Sequence, residues 1–392
     1  MTRTFADALR RASRLMHPAR PTRAARSIGK AMTGFMVASA LAPLTAFAPE
    51  TVKPRRAAAP KTARPRGVAA PKTGRALGAV LKQLRAAQSL MPQAMTGPTG
   101  REVSPGTPVG AQYLVRRHSS AAGSRGYKLY LPASQSKGPK GLILMLHGCH
   151  QNPDDFAAGT HMNAMAEKHG LAIAYPAQTG GHNAASCWNW FTPGNQVRGA
   201  GEPAILASLA RKLAKELGLG RDAVFVAGLS AGGAMAAILA DVYPDVFSAA
   251  GVHSGLARGA AHNAISAISA MRTGDAPARA RTAVAARSDP VRRIVFHGDS
   301  DGTVHPANAA AIVAAAMGGN VTPSKVSKRS VRGRSYARSE FAGPDGVVLL
   351  EQWMLEGADH AWSGGRAAGS YTDGKGPDAS AQMIRFFLAK PA

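Results

Sequence analysis

From residue 112 onward, short apolar runs alternate with longer stretches of helical period. The runs are QYLVRR (112–117), YKLYL (127–131), LILML (142–146), LAIAY (171–175), AVFVAG (223–228), FSAAGV (247–252), RRIVFHG (292–298) and VVLLEQWML (347–355). Residues 202–217 place Ile205, Leu206, Leu209, Leu213 and Leu217 on one stripe, with Pro203 near the start, where a missing N–H costs nothing. Residues 378–389 open on Asp378 as an N-cap and carry Met383, Ile384, Phe387 and Leu388 as an apolar face. Strands alternating with helices predict an α/β domain over 111–392, with a mostly parallel central sheet flanked by helices. The first runs are joined by a short connection, which predicts an antiparallel edge.

Before residue 111 this pattern disappears and charge takes over. Residues 1–110 hold 19 Lys and Arg against Asp7, Glu50 and Glu102, which is +16 of the chain's net +26. Residues 4–16 set Phe5, Leu9, Ala12 and Met16 at helical spacing, with Arg10, Arg11 and Arg14 between them, as in a short basic amphipathic helix. Residues 31–49 carry no charge. They read either as the apolar part of a signal peptide, with AFA (46–48) as cleavage site, or as an apolar helix that docks on the body or on a hydrophobic surface. Pro43 interrupts the run, so no transmembrane anchor is expected. Residues 52–75 repeat AAPKT at 58–62 and 69–73 and bury too little apolar surface to order, so they read as a disordered linker. This basic extension would suit a polyanion or a polymer-granule surface, without specific nucleic-acid recognition.

The run at 223–228 ends in Gly228-Leu229-Ser230-Ala231-Gly232 and continues into the helix-like GAMAAILADVY. A sharp strand-to-helix turn would lift the Ser230 hydroxyl clear of the sheet, and flanking glycines allow the backbones to approach. The Ala231 N–H would then face a developing oxyanion at a helix N-terminus. A serine nucleophile needs a base and an orienting acid. In the α/β-hydrolase order, Ser is followed by Asp or Glu and then His. Asp299 and Asp301 both follow the strand at 292–298, and Asp301 is favoured because DGTV places it in the loop. His360 follows the last strand, whereas the competitors His253, His297 and His305 do not. Upstream, LILMLHGC (142–149) ends a strand in a turn that would present the Cys149 N–H as a second oxyanion donor.

The segments HGCHQNPDDFAAGTHMNAMAEKHG, SCWNWF, RGAGEP, VFVAGLSAGGAMAAILADVYPDVFSAAGVHSGL, HGDSDGTV and DHAWSGG together resemble the esterase family of poly(3-hydroxybutyrate) depolymerases, over about residues 127–388. The resemblance implies an α/β-hydrolase with Ser230 as nucleophile, Asp301 as acid and His360 as base. The amides of Cys149 and Ala231 would form the oxyanion hole, and 3-hydroxyalkanoate esters would be the substrate. Related enzymes cleave feruloyl or acetyl esters, which is the alternative. Secreted members often append a linker and a polymer-binding domain. The chain ends just after its last predicted helix, so amorphous polymer, oligomers or small esters are the expected substrates.

The two cysteines, Cys149 and Cys187, lie in loops expected at the same sheet edge. A disulfide between them would clamp the aromatic loop CWNWF (187–191) over the oxyanion turn and favours export to an oxidising compartment. Two buried free thiols, in an intracellular granule-associated enzyme, are the alternative. Trp188, Trp190 and Trp362, with Phe191, are expected to line the substrate cleft, although any one tryptophan could instead pack in the core. No metal cluster, phosphate loop or dinucleotide fingerprint stands out, so no cofactor is expected.

Overall fold

The computed structural model describes residues 103–133, 138–274, 290–319 and 321–389. The expectations for residues 4–16, 31–49 and 52–75 lie outside them. The chain forms β1 (Gln112–Ser120), β2 (Gly123–Leu131), β3 (Gly141–Leu146), α1 (Pro153–Thr160), α2 (Met162–His169), β4 (Leu171–Pro176), α3 (Gly201–Glu216), β5 (Val224–Leu229), α4 (Ala231–Val242), β6 (Ala249–His253) and α5 (Ala264–Thr273). After these come β7 (Arg292–Gly298), α6 (Ala307–Met317), β8 (Lys325–Val331), β9 (Arg334–Ala342), β10 (Val348–Leu355), β11 (Trp362–Ser363), β12 (Thr372–Asp373) and α7 (Ala379–Leu388).

One ten-stranded sheet runs in the order β1-β2-β4-β3-β5-β6-β7-β10-β9-β8. The six strands from β4 to β10 are parallel. β1 and β2 form the expected antiparallel edge against β4. β3, β4 and β5 are buried along their whole length, which is why they read as continuous apolar runs and not as alternating ones. One face is covered by α3 and α4 through Leu206, Leu209, Leu213, Met235 and Leu239. The other is covered by α1, α2 and α7 through Phe156, Met162, Met383, Ile384 and Phe387. This is the α/β-hydrolase architecture.

The far edge differs from expectation. β8 and β9 extend the sheet as an antiparallel pair beyond β10. Nearly every position of β8 is exposed, and its sequence KVSKRSV carries no apolar alternation. The strand has no buried face to write into the sequence, so periodicity misses it.

The sheet also fixes where a site can form. The chain leaves β3 toward β4 on one side, and leaves β5 toward β6 on the other. The loops after these neighbouring strands therefore diverge and open a crevice at the carboxyl end of the sheet.

Candidate active site

Ser230 stands at the end of β5 in that crevice, with φ 57° and ψ −121°. This conformation costs an ordinary residue about 1–3 kcal/mol and persists only where surroundings enforce it. Two backbone bonds do so. The Ser230 N–H donates to the His253 carbonyl at 2.9 Å, and its own carbonyl accepts the Ala234 N–H at 2.9 Å, which opens α4. The flanking glycines are required by close approach. A Cβ on Gly228 would strike the backbone of Gly232, and one on Gly232 would strike the carbonyl oxygens of Leu146 and His147 at the end of β3. The paired glycines thus let β5 turn into α4 against the neighbouring strand.

The turn after β3 faces this one. His147 is fully buried, and that burial lowers its pKa to about 4, despite the Gly148 carbonyl and the Asp155 charge. It is therefore neutral, with Nδ1–H donating to the Gly148 carbonyl at 2.8 Å and Nε2 accepting the Gln178 N–H at 3.1 Å. Among the described residues, neither the Cys149 N–H nor the Ala231 N–H donates to a protein acceptor. Backbone donors with no internal partner beside a nucleophile can bind an oxyanion.

On the opposite side, Asp301 and His360 meet across 59 positions of sequence, with His360 Nδ1 2.8 Å from Asp301 Oδ2. Asp301 Oδ1 also accepts the N–H groups of Thr303 and Val304 at 3.0 and 2.8 Å. Burial acts to raise the Asp301 pKa, but the His360 hydrogen bond and charge, the Val304 amide and His297 outweigh it and bring the carboxyl down to about 2. Asp299 has another role: its Oδ1 accepts the Gly357 N–H at 2.7 Å and ties the two loops together. His297 keeps Nε2 on the Val304 carbonyl at 2.8 Å, and His253 is stacked between Phe296 and Trp362.

Gly148, Cys149, Ser230, Thr303, His360 and Tyr371 line one depression with about 290 Å³ of empty space, open to solvent. With Nδ1 held by Asp301, the free nitrogen of His360 is Nε2. No hydrogen bond joins it to Ser230 among the described residues. Such bonds are often loose without substrate and tighten in the reacting complex. Among the described residues no group of His, Cys, Asp or Glu side chains could hold a metal ion.

A disulfide joins Cys149 to Cys187, 38 positions apart. It clamps the CWNWF loop to the turn that presents the Cys149 amide.

The tryptophans require a correction. Trp188 and Trp362 are completely buried and Trp190 nearly so, and none of the three lines the depression. Trp188 donates Nε1–H to the His147 carbonyl at 3.1 Å, which braces the turn after β3 from behind. Trp362 donates to Ser380 Oγ at 3.1 Å and packs edge-on to Phe156. Trp190 packs edge-on to Phe191 in the core that holds Trp188. Each indole has a core cavity to fill, and two have a partner for the N–H, which is the condition for burying one.

Several polar residues that matter here carry no signal in the sequence. Glu202 is buried beneath the aromatic loop. It accepts from Gln178 Nε2 at 2.6 Å and from the Asn189 N–H at 2.8 Å, and it pairs with Arg125 at 3.3 Å. The RGAGEP segment thus serves to anchor the loop that the disulfide also holds. Tyr371 lines the depression from a segment that helical or strand periodicity does not mark.

The Esterase PHB depolymerase family profile matches residues 125–329. Poly(3-hydroxyalkanoate) depolymerase C of Paucimonas lemoignei is 34% identical over 174 residues, covering 43% of this chain and 42% of that protein. Poly(3-hydroxybutyrate) depolymerase of Ralstonia pickettii is 30% identical over 259 residues, covering 61% and 52%. The chain therefore spans about half the length of these curated relatives. Probable acetylxylan esterase A of Aspergillus clavatus is 29% identical over 196 residues, covering 47% and 62%. Among solved structures, acetyl xylan esterase from Aspergillus awamori superposes with a TM-score of 0.56 at 20% identity, over 71% of this chain and 98% of that one, a likeness of fold. The profile covers more than half of the sequence, including the serine turn and the Asp301 loop, and on that ground the chain belongs to the esterase PHB depolymerase family.

Proposed function

We propose that the protein is a serine carboxylic ester hydrolase acting on 3-hydroxyalkanoate esters, as amorphous polyester or its oligomers. The observation that carries this is that Ser230, Cys149 and His360 line one open depression, with the Asp301 carboxylate on His360 Nδ1 and the Cys149 and Ala231 amides unpartnered among the described residues. In this reading, His360 Nε2 takes the proton of Ser230 Oγ as the oxygen attacks the ester carbonyl carbon. The carbonyl π electrons move onto oxygen, and the two amides stabilise that charge. Collapse breaks the bond to the alcohol oxygen, and His360 returns the proton to the departing alcohol. Water then attacks the acyl-enzyme with His360 again as base, and the acid and free Ser230 are regenerated. Asp301 holds the imidazole in the Nδ1–H form and stabilises its cation.

The substrate class rests on the family and on the names of the relatives, two of which are depolymerases. The acetylxylan esterase relative supports a second reading, in which a small acyl group leaves a sugar hydroxyl. A hydrolysis panel of amorphous poly(3-hydroxybutyrate), hydroxybutyrate dimers and trimers, acetylated xylan and methyl ferulate separates the two. The proposal expects the hydroxybutyrate substrates to give the highest kcat/KM. A preference for acetylxylan or ferulate would replace it. The disulfide supports an exported enzyme. The +16 on residues 1–110 supports a role for that segment in holding the enzyme at an anionic or polymer surface, tested by salt-dependent retention of the full chain against residues 111–392.

A further inference from the structure

We infer that Gln151 is a positioning residue that sets the direction of the Cys149 N–H, through a buried bridge from the oxyanion turn to the segment carrying Tyr371. The inference rests on the serine-esterase reading above. Gln151 is 3% exposed and Asp155 is completely buried. Gln151 Oε1 accepts the Gly148 N–H at 2.9 Å. Its Nε2 donates to Asp155 Oδ2 at 3.1 Å and to the Ser370 carbonyl at 3.1 Å. Asp155 Oδ1 accepts the Ser370 N–H at 2.8 Å, and Oδ2 accepts the Ser370 hydroxyl.

The geometry explains the effect. The Cys149 N–H shares a peptide plane with the Gly148 carbonyl, which His147 Nδ1 holds at 2.8 Å. The other end of Gly148, its N–H, is held by Gln151. With both ends fixed, a residue free to take almost any conformation is confined to one, and the direction of the next N–H follows. Gln151 is also the link between that turn and Ser370, 219 positions away, whose neighbour Tyr371 lines the depression. Removing the amide leaves the Gly148 N–H buried without an acceptor and takes one donor from Asp155.

The test compares wild type, Gln151→Ala, the isosteric Gln151→Glu and Ser230→Ala on a short p-nitrophenyl ester. A trifluoromethyl ketone serves as a probe whose tetrahedral adduct carries the oxyanion. Misdirecting one donor predicts that kcat of Gln151→Ala falls about 10- to 100-fold, and affinity for the ketone falls by a similar factor. KM should stay within about threefold, because ground-state binding is not the interaction removed. Gln151→Glu keeps the size but faces the Asp155 carboxylate, so one of the two must hold a proton to restore the bridge. His147 and Tyr371 are the neighbouring titratable groups that feel the Asp155 charge. The kcat of Gln151→Glu, relative to wild type, should therefore fall as pH rises, with the thermal midpoint reported alongside. Variants that keep wild-type kcat overturn the inference, and so does a kcat loss with unchanged ketone affinity and a pH-independent Glu-to-wild-type ratio. If Ser230→Ala remains active, the underlying reading fails. If Ser230→Ala is inactive and Gln151→Ala is not impaired, only the role of Gln151 fails.

Discussion

The two sides of the depression are built by different means. The side that carries Ser230 is backbone. The turns after β3 and β5 pack so closely that Gly228 and Gly232 leave no room for a side chain, and a disulfide and the Trp188 indole brace them. The other side is a pair of side chains, Asp301 and His360, brought together from loops 59 residues apart. The first side constrains residue type where the chain is local, so it reads directly from sequence as Gly-Leu-Ser-Ala-Gly. The second constrains contact between distant loops, so sequence shows only the order of candidates.

Perturbing each side should therefore fail differently. The largest effect is expected from Gly232→Ala. The added methyl meets two carbonyl oxygens at the end of β3, and neither can move without unpicking the sheet. Overpacked backbone of this kind lies in the tail of mutational costs, on the order of 4 kcal/mol or more. Soluble expression and the thermal midpoint of this variant should both collapse. A folded, stable Gly232→Ala would show that the backbone side is looser than described.

Asp301→Asn should leave the fold intact and lower kcat about 10⁴-fold, because His360 loses the partner that fixes its tautomer. Asp299→Asn should change kcat far less, since Asp299 bonds a backbone amide and not the imidazole. Steady-state kinetics of the two variants decide the matter, and the reverse ranking would reassign the acid.

Reducing the disulfide, or Cys187→Ser, acts on the backbone side more gently. Opening a loop closed over 38 positions should lower stability by about 2–4 kcal/mol. It should also lower kcat more than it raises KM, because the Cys149 amide loses its clamp. Kinetics and thermal melts with and without reductant read both effects. Unchanged activity after verified reduction would show that Gln151 and His147 suffice to hold the turn.

The last effect is on the pH dependence of stability, and it touches both sides. Burial holds His147 at about 4 and His253 at about 3, against 6.5 for a free imidazole. Each is neutral when folded and protonates more readily when unfolded. Their stabilisation is full above pH 6.5 and is lost as pH falls through about 4 and 3. Asp301 adds a loss between 3.8 and about 2. The melting temperature should thus begin to fall below pH 6.5, and His147→Asn should flatten that limb. A midpoint constant from pH 7 to 4 would contradict the two histidine shifts.

What the sequence made legible follows the same division. β3, β4 and β5 are buried on both faces, and their apolar runs announce them. β8 and β9 hydrogen-bond onto the sheet edge with little burial, so no pattern marks them. Ser230, Asp301 and His360 each stand out by a strand end and by chain order; Ser230 and His360 line one depression, and Asp301 bonds His360 Nδ1. The tryptophans misled because an indole suits a cleft and a core equally well. What separates the two is a contact, such as Trp362 with Ser380, that sequence does not display. Gln151 and Asp155 were silent for a related reason. Their partner, Ser370, lies more than 200 residues on, and a polar residue in a turn or a first helical turn looks solvated until its partner is known.

The central claim is that Ser230 is the nucleophile of an oxyanion site completed by backbone amides. Reaction of the full chain with an organophosphonate, followed by peptide mass mapping, tests it most directly. The account predicts one adduct, on Ser230, stoichiometric with loss of esterase activity, and no adduct or activity in Ser230→Ala, which should fold as wild type does. Labelling at another residue, or esterase activity retained by Ser230→Ala, would contradict it.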